Sequence, residues 1–371
     1  MNFQLIRRDV PKLVIDNKFA IPGVVLIFPI TRASGLANGS WHKFMELIEQ
    51  SSLHAIVIID KTPFQTATSF FQEQHLEKNC PVYLVQRDPL EGIFDSQKII
   101  TLDSNLWIAQ VHDDDDWSGA IALPDLASQD TVYVPLISDK THSYELVDST
   151  KIPAHTLFSL IPHRLWNSFT AYIAAQGGHI APSADSSLNL VSQKYFRHKR
   201  LERFNYHYSA RHWEGRKTIS RELTKLSSID GWGVIAGVSA AVLTSHLDQI
   251  CFMIFMAQQD GLPLKNHQLD TLVEKVASSK KSRFFKLIRI GSIQGLVKEK
   301  SLLSIPYLRI PWSSRLPQYI LKIRFELALA KVCDLESLKQ LLNQIRFLDL
   351  TGSLNTRLDF WSLTITKVMD N

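Results

Sequence analysis

The sequence predicts an α/β fold, with a mixed sheet flanked by helices and followed by a mostly α-helical C-terminal domain. Three apolar runs rich in β-branched residues are typical of buried strands, namely VVLIF at 24–28, AIVII at 55–59 and PVYLVQ at 81–86. Helical segments separate these runs. Because strand–helix–strand alternation favours right-handed parallel crossovers, we expect the three strands to share one sheet.

A helix is predicted after each of the first two strands. Ser40 can cap the first helix, and apolar residues recur at helical spacing from Trp41 to Ile48. Thr62 is the predicted N-cap of the second helix, with Pro63 at its first position. Both helices are expected to cover the sheet.

The most distinctive stretch is WIAQVHDDDDWSGAIALP at 107–124. An apolar run at 106–111, interrupted only by Gln110, predicts a buried strand that ends at Asp113–Asp116. Open α/β sheets bind ligands at the carboxyl ends of their strands. Four adjacent carboxylates repel one another, and coordination of a hard cation relieves that repulsion. The alternative interpretation is a solvated acidic loop.

Further strands and helices are predicted beyond the acidic run. Residues 131–137 and 144–147 are strand candidates, and a stripe from Leu157 to Tyr172 predicts a helix that stops at Gly177-Gly178. A polar helix is predicted after Pro182-Ser183-Ala184, which places Asp185 at or beside its N-terminus. An N-cap is the ordinary role of an aspartate at that position.

Aromatic and basic residues are concentrated in FNYHYSARHWEGRKTI at 204–219. Arg211 is a candidate phosphate partner and His212 a candidate metal ligand, because guanidinium groups bind phosphate and neutral imidazole binds metals. A structural role for His212 is the alternative. Nucleic-acid binding is not expected, because no known RNA-binding signature accompanies this short stretch.

Composition narrows the class of protein. The chain has 371 residues, 45% of them hydrophobic and 21% charged, as in ordinary globular proteins of one large and one smaller domain. Three distant cysteines argue against a disulfide framework, and the first residues do not form a signal peptide, so a cytoplasmic location is expected. Neither a dinucleotide-binding fingerprint nor a P-loop occurs among the 15 glycines.

The C-terminal region differs in charge from the rest. Residues 261–371 carry 18 Lys and Arg against 9 Asp and Glu, whereas residues 1–260 carry a small net negative charge. This asymmetry suggests an anionic partner, and contact with an anionic membrane is one interpretation. Residues 231–257 approach the length of a membrane span, but His246 and Asp248 interrupt them, so buried helices are favoured.

The acidic run after a buried strand resembles the Asp-X-Asp region of family-2-like GT-A glycosyltransferases, which bind a nucleotide-sugar with a divalent metal. The resemblance implies Mn²⁺ or Mg²⁺ at Asp113 and Asp115, with His212 as a further ligand. It implies Asp185 as the general base of an inverting reaction. It also implies nucleotide contacts from a second group of residues, which comprises Thr31, Arg32, Asp60, Lys98, Asp113 and Arg211. For Asp60, a plain turn aspartate is an equal alternative.

The resulting hypothesis is a GT-A-like domain at 1–215 and a helical domain at 216–371. The resemblance implies transfer of a sugar from a nucleotide diphosphate to a hydroxyl of a glycan or glycolipid, in surface polysaccharide or glycolipid synthesis at the inner face of the membrane. Two alternatives remain. One is a non-catalytic GT-A-like protein that binds an anionic partner through its basic C-terminal region. The other is a nucleotidyltransferase, although no glycine-rich phosphate loop follows the first strand.

Overall fold

A computed structural model gives the structure of the protein. It describes residues 4–31, 41–73, 80–89, 96–113, 115–138, 143–144, 158–175, 184–207, 251–252, 254–256, 334–348 and 355–369. The chain divides into two compact units, of which the first comprises Met1–Ala174, Gly178–Ile180 and Ala184–Leu223, and the second Ala175–Gly177, Ala181–Ser183 and Thr224–Asn371. The predicted domain boundary at 215–216 falls outside the described residues and stays a prediction.

The described residues form twelve strands and six α-helices. The strands are β1 Gln4–Ile6, β2 Leu13–Ile15, β3 Gly23–Ile30, β4 Ala55–Asp60, β5 Val82–Gln86, β6 Ile100–Leu102, β7 Leu106–Gln110, β8 Asp116–Gly119, β9 Thr131–Ser138, β10 Ser143–Tyr144, β11 Ile161–Pro162 and β12 Arg197–His207. The helices are α1 Trp41–Gln50, α2 Thr66–Gln72, α3 His163–Ala175, α4 Ala184–Tyr195, α5 Leu335–Leu348 and α6 Asn355–Met369.

The main sheet has six strands in the order β1-β5-β4-β3-β7-β11. The first five pair in parallel, and β11 is antiparallel to β7. The chain steps from β3 through β4 to β5 on one side and then returns to β7 on the other side of β3. This reversal opens a crevice at the carboxyl ends of β3 and β7, where doubly wound sheets bind ligands.

Fully buried apolar strands explain why the centre of this sheet forms. The exposed fraction is zero for β4 and at most a few per cent for β3 beyond Gly23. Such strands read as continuous apolar runs because both faces are covered. Helix α1 contributes to that cover through Phe44, whose ring stacks on Phe28 at 4.1 Å, and through Trp41, whose ring meets Phe71 of α2 at 4.8 Å.

A second, four-stranded sheet has the order β10-β9-β12-β8. Strand β12 is parallel to β9 and antiparallel to β8, with a bulge between Leu201 and Asn205. At the β8–β12 crossing, Gly119 has φ +87°, and a Cβ there would lie 2.1 Å from the carbonyl oxygen of Arg203. Only glycine permits this close approach. The two remaining strands, β2 and β6, pair in parallel.

The structure confirms the mixed sheet flanked by helices and the strands predicted near 24–28, 55–59, 81–86, 106–111 and 131–137. The helix at Trp41 and the polar helix after Ser183 are also confirmed. Of the strand predicted at 144–147, the structure describes only Tyr144, which ends β10. Residues 177–178, the predicted helix stop, lie outside the described part.

Two helix starts differ from the prediction. Pro63 opens a short 3₁₀ turn, and α2 begins only at Thr66, because Phe64 and Gln65 adopt φ +57° and break the α-helix. The prediction of a helix from Leu157 onward is wrong at Ile161, because this residue belongs to strand β11. Pairing with β7 takes Ile161 and Pro162 into the sheet, so α3 begins at His163.

In the second unit the described residues are almost all helical, in α5, α6 and short pieces at 251–252 and 254–256. Phe255 meets Phe360 of α6 with ring centroids 6.1 Å apart. Trp361 and Ile365 of α6 are fully buried. Within the part of the chain that the structure describes, no helix combines the length and hydropathy of a membrane span.

Candidate functional site

The residue after β3 contacts an aspartate that follows β7 at the crevice. The backbone N–H of Thr31, the residue after β3, donates a hydrogen bond of 3.1 Å to Oδ2 of Asp113, three residues after β7. The strands are already in register at this end, because Val111 N donates to the Ile27 carbonyl oxygen at 3.1 Å. The sequence prediction that the acidic run lies at the end of a buried strand is therefore confirmed.

Two carboxylates of the run are held at this edge of the sheet. Asp113 and Asp115 are each 8% exposed. Oδ2 of Asp115 accepts a hydrogen bond of 2.7 Å from the hydroxyl of Tyr206 in β12 and lies 4.0 Å from Nδ1 of His112. The Thr31 amide and the Tyr206 hydroxyl are neutral donors, so these two bonds orient the carboxylates without cancelling their charge. Asp114 lies outside the described residues.

An aromatic wall supports Asp115. The ring of Tyr206 stacks on Phe158 at 4.0 Å, and the edge of His112 meets Phe158 at 5.4 Å. Nε2 of Gln110 lies 2.5 Å from Nε2 of His112, while Nδ1 of the same ring faces Oδ2 of Asp115, so both ring nitrogens have a polar neighbour. Gln110 thereby fixes the imidazole orientation, as outer-shell partners do at metal and anion sites.

Asp116 has a different role from Asp113 and Asp115. Its Oδ1 pairs with Nζ of Lys43 on α1 and accepts the Trp117 backbone N–H at 3.2 Å. The Trp117 indole donates to the Lys43 carbonyl oxygen at 3.4 Å. These contacts fasten the start of β8 to α1. The three described aspartates are therefore not equivalent, and Asp116 serves the packing of the loop.

The environment of Asp60 favours the structural alternative. Asp60 is fully buried at the end of β4. Its Oδ1 accepts hydrogen bonds from the Thr62 N–H and hydroxyl at 2.8 and 2.6 Å, and its Oδ2 accepts from the Thr68 N–H and hydroxyl at 2.6 Å each. A carboxylate with four donors from its own chain is a brace between β4 and α2. Its prediction as a nucleotide contact gains no support from this geometry.

Of the other predicted site residues, the structure describes Lys98 and the backbone of Asp185. Lys98 is half-buried beside Gln97, which is 1% exposed and whose amide nitrogen and oxygen have no hydrogen-bond partner among the described residues. Asp185 is the second residue of α4, as predicted, although its side chain lies outside the described part. Arg32, Arg211 and His212 also lie outside the described residues.

The carboxylates at this site suit a divalent cation that keeps other ligands of its own. Within the described ranges, no three His, Cys, Asp or Glu side chains come together as a metal centre made of protein ligands alone. Mg²⁺ needs no such cage, because it is bound by one or two carboxylates together with waters and substrate phosphates, and Mn²⁺ also suits carboxylates. The two oriented carboxylates Asp113 and Asp115 fit this mode of binding.

Sequence reasoning missed the role of Tyr206. The sequence places it in the aromatic and basic stretch at 204–219, where only Arg211 and His212 were candidates, whereas the structure makes it a fully buried residue of β12. The available signal was the apolar series Leu201, Phe204 and Tyr206, which interrupts the cations of this strand. Its spacing is irregular because of the bulge, so a period-two pattern does not emerge.

Comparison with known proteins gives structural likeness only. No family model and no curated protein sequence matches the chain. Among solved structures, S. aureus TarS 1–349 in complex with UDP is 10% identical, with a TM-score of 0.40 over 94% of this chain and 91% of that chain. A structure of S. aureus TarS 1–349 is 9% identical, with the same TM-score and coverage. At these values the likeness carries no argument about this chain.

Proposed function

We propose that the protein is a GT-A-like glycosyltransferase that transfers a sugar from a nucleotide diphosphate donor to a hydroxyl acceptor. The observation that carries the proposal is the pair of oriented carboxylates, Asp113 and Asp115, at the crevice between β3 and β7. Their position is where open α/β sheets bind ligands, and carboxylate oxygens are the ligands that hard divalent cations prefer. A divalent cation would bridge these carboxylates and the phosphates of the donor.

Asp113 and Asp115 would hold Mn²⁺ or Mg²⁺, which offsets the negative charge that develops on the leaving diphosphate. Thr31 and Gln110 hold the two loops in place through their contacts with Asp113 and His112. Arg32, Lys98 and Arg211 are proposed to bind the donor nucleotide, and His212 is proposed as a further metal ligand. Asp60 is left out of the proposed mechanism, because both of its carboxylate oxygens accept hydrogen bonds from Thr62 and Thr68.

The transfer forms a bond between the acceptor oxygen and the anomeric carbon of the donor sugar. The bond from that carbon to the diphosphate oxygen breaks, and its electron pair leaves with the nucleotide diphosphate. The acceptor proton passes to the carboxylate of Asp185, which acts as general base. This assignment gives inversion at the anomeric carbon. The proposed acceptor is a glycan or glycolipid of surface polysaccharide synthesis.

Calorimetric titration of nucleoside diphosphates tests the proposal. UDP, GDP, CDP and TDP are titrated with Mn²⁺ and, separately, with a chelator. One of them should bind in the presence of Mn²⁺, and the chelator should abolish binding. Asp113→Asn and Asp115→Asn should each weaken the affinity more than tenfold. Asp125→Asn, which removes an exposed carboxylate in the loop before β9, is the matched control and should bind as the wild type does.

Two results would contradict this function. Nucleotide binding that is unchanged by the chelator would show that no metal is needed. An Asp115→Asn affinity equal to that of the wild type would show that the acidic residues do not form the binding site. The non-catalytic alternative is separated by a second measurement. A transferase slowly hydrolyses its donor when no acceptor is present, so release of free sugar that depends on Asp115 supports the enzyme over the scaffold.

A further inference from the structure

Strand β12 carries a concentration of exposed positive charge. Arg197, Lys199, Arg200 and Arg203 are all exposed on this one strand, and Glu202 is its only acidic residue. Among the described residues none of the four cations has an ion-pair partner. We refer to these four residues as the β12 basic track. Exposed cations without local partners are available to an anionic ligand.

The neighbouring charges do not neutralise the track. Asp130 accepts the Arg197 backbone N–H through its carbonyl oxygen at 2.8 Å, but its carboxylate lies 3.8 Å from Nη1 of Arg164 on α3. Glu202 is exposed within the strand. This surface therefore carries five cations, including Arg164, and two acidic residues, Asp130 and Glu202. Its net charge remains positive.

The β12 basic track leads to the candidate site. At about 3.3 Å per residue, the distance from Arg197 to Arg203 is at most about 20 Å, and Tyr206 follows about 10 Å further along the strand. Tyr206 is the residue whose hydroxyl binds Asp115. Tight backbone contact keeps the intervening part of β12 in place, because the Arg203 carbonyl oxygen accepts the Ala120 N–H at 2.8 Å beside Gly119.

We infer that the β12 basic track binds a linear polyanionic acceptor glycan and guides it to the acidic site. This inference rests on the proposed glycosyltransferase function and adds the chemical class of its acceptor. The repeating anionic groups are phosphates or carboxylates, both of which guanidinium groups bind in bidentate fashion. The acceptor hydroxyl to be glycosylated then lies near Asp115, with the rest of the polymer along β12.

Burial of the aromatic residues distinguishes this surface from one that binds single-stranded nucleic acid. Proteins of that class present aromatic side chains on which successive bases stack. On β12 the aromatic residues Phe204 and Tyr206 are 2% and 0% exposed, so they offer no stacking platform. Apart from His207 at the end of the strand, the exposed residues of β12 are charged, which suits a polymer that is recognised by its anionic groups.

Binding of model polyanions to the full-length chain tests the inference. Inorganic polyphosphate and polygalacturonate represent the phosphate and carboxylate classes, and dextran, poly(U) RNA and vesicles of mixed anionic and neutral lipid serve as comparisons. Wild-type protein should bind at least one of the two polyanions and should not bind dextran. The triple variant Lys199→Gln/Arg200→Gln/Arg203→Gln should bind that polyanion at least tenfold more weakly at low salt.

A matched variant controls for net charge. Arg7→Gln/Lys12→Gln/Lys18→Gln removes three exposed cations elsewhere in the first unit and should change the affinity less than twofold. Without the three β12 cations, affinity should also depend less steeply on salt. The slope of log affinity against log salt should shrink in magnitude by roughly two, because each ionic contact that is lost no longer releases a counterion on binding. Equal losses in the two triple variants, or none in either, would overturn the inference.

The remaining outcomes are also decisive. Tighter binding of poly(U) than of both polyanions would assign the surface to nucleic acid, and binding to vesicles alone would assign it to a membrane. Titration of the nucleoside diphosphate with Mn²⁺ separates this inference from the proposed function. If the nucleotide binds and the β12 variant still matches its control, only the acceptor inference fails. If no nucleotide binds the wild type, the glycosyltransferase function itself fails.

Discussion

The hydroxyl of Tyr206 donates a 2.7 Å hydrogen bond to Oδ2 of Asp115, across 91 residues of sequence. The bond joins β12 of the second sheet to the loop that follows β7 of the main sheet. Both residues are buried, at 0% exposure for Tyr206 and 8% for Asp115. Tyr206 therefore acts as a positioning residue for Asp115, as partners behind metal-binding carboxylates do.

Tyr206→Phe should weaken Mn²⁺-dependent binding of the nucleoside diphosphate by roughly tenfold or more, since loss of such partners typically costs ten to a hundredfold in metal affinity. The free energy of unfolding should fall by about 1 to 2 kcal/mol, because one buried hydrogen bond is lost while the ring packing remains. Titration calorimetry and urea unfolding provide the two measurements.

Tyr133→Phe is the matched control for this change. Tyr133 is also buried in the second sheet, and its hydroxyl accepts the Ser128 N–H at 3.0 Å, away from the acidic residues. The control should lose comparable stability and keep its affinity for the nucleotide. Equal affinities in the two variants would show that Tyr206 has only a structural role.

The predictable part of the fold is the part with strong burial patterns. Strands β3, β4 and β7 are covered on both faces, so each forms an apolar run that can be recognised without any partner. Strand β12 alternates cations with apolar residues irregularly around a bulge, and β11 has only two residues. Such strands are defined by the neighbours that pair with them, which local sequence does not encode.

The candidate site shows the same division. The position of Asp113 and Asp115 follows from the strand before them, so it was predictable. The different contacts of Asp116 and Asp60 were not, because they depend on Lys43 in α1 and on Thr68 in α2. An aspartate that follows a strand can bind a ligand or can hold neighbouring elements together. The hydrogen-bond donors around its carboxylate determine which role it has.

Asp60→Asn should destabilise the fold while leaving nucleotide affinity unchanged. The amide that replaces one carboxylate oxygen would face donors from Thr62 or Thr68, so one bond from a backbone N–H is lost, the hydroxyl must turn to accept, and the remaining bonds lose their charge assistance. Since hydrogen bonds to charged groups contribute about 1.5 to 3 kcal/mol each, we expect a loss of roughly 3 kcal/mol or more. Urea unfolding measures this loss.

Asp9→Asn, which changes an exposed aspartate, should alter stability by less than about 0.5 kcal/mol and serves as the control. Titration below the unfolding temperature of the variant measures its affinity for the nucleotide. A stable Asp60→Asn protein with greatly weakened binding would restore the original interpretation of Asp60 as a nucleotide contact.

Asp185→Asn should abolish turnover and preserve donor binding. The residue lies in the first turn of α4, where a carboxylate also interacts favourably with the helix N-terminus. Loss of that interaction costs only about 0.3 to 1 kcal/mol, so the variant should remain folded. Donor hydrolysis and nucleotide titration are compared with those of Asp125→Asn. Turnover close to the wild-type value, combined with lower stability, would leave Asp185 with a helix-terminal role alone.

His198 makes the stability of the first unit depend on pH. Its Nε2 lies 2.7 Å from the hydroxyl oxygen of Ser192 in α4, so the contact joins α4 to β12. Burial lowers the pKa of His198 to about 4, and a hydrogen bond with the backbone of Phe196 offsets only part of that effect. In the unfolded chain a histidine has its ordinary pKa of about 6.5. Between these two values the unfolded state binds the proton and the folded state does not.

Stability should therefore fall as the pH decreases from about 6.5 toward 4, and the contribution of His198 should be fully present above that window. After allowance for solvent screening, we expect a loss of about 2 kcal/mol from this group. Urea unfolding of the wild type, His198→Gln and the exposed control His42→Gln between pH 7.5 and 4.5 measures it. Because carboxylates also titrate in acid, the quantity to compare is the difference in slope between each variant and the wild type. His198→Gln should show the flatter dependence, and slopes equal to those of the wild type in both variants would contradict the assignment.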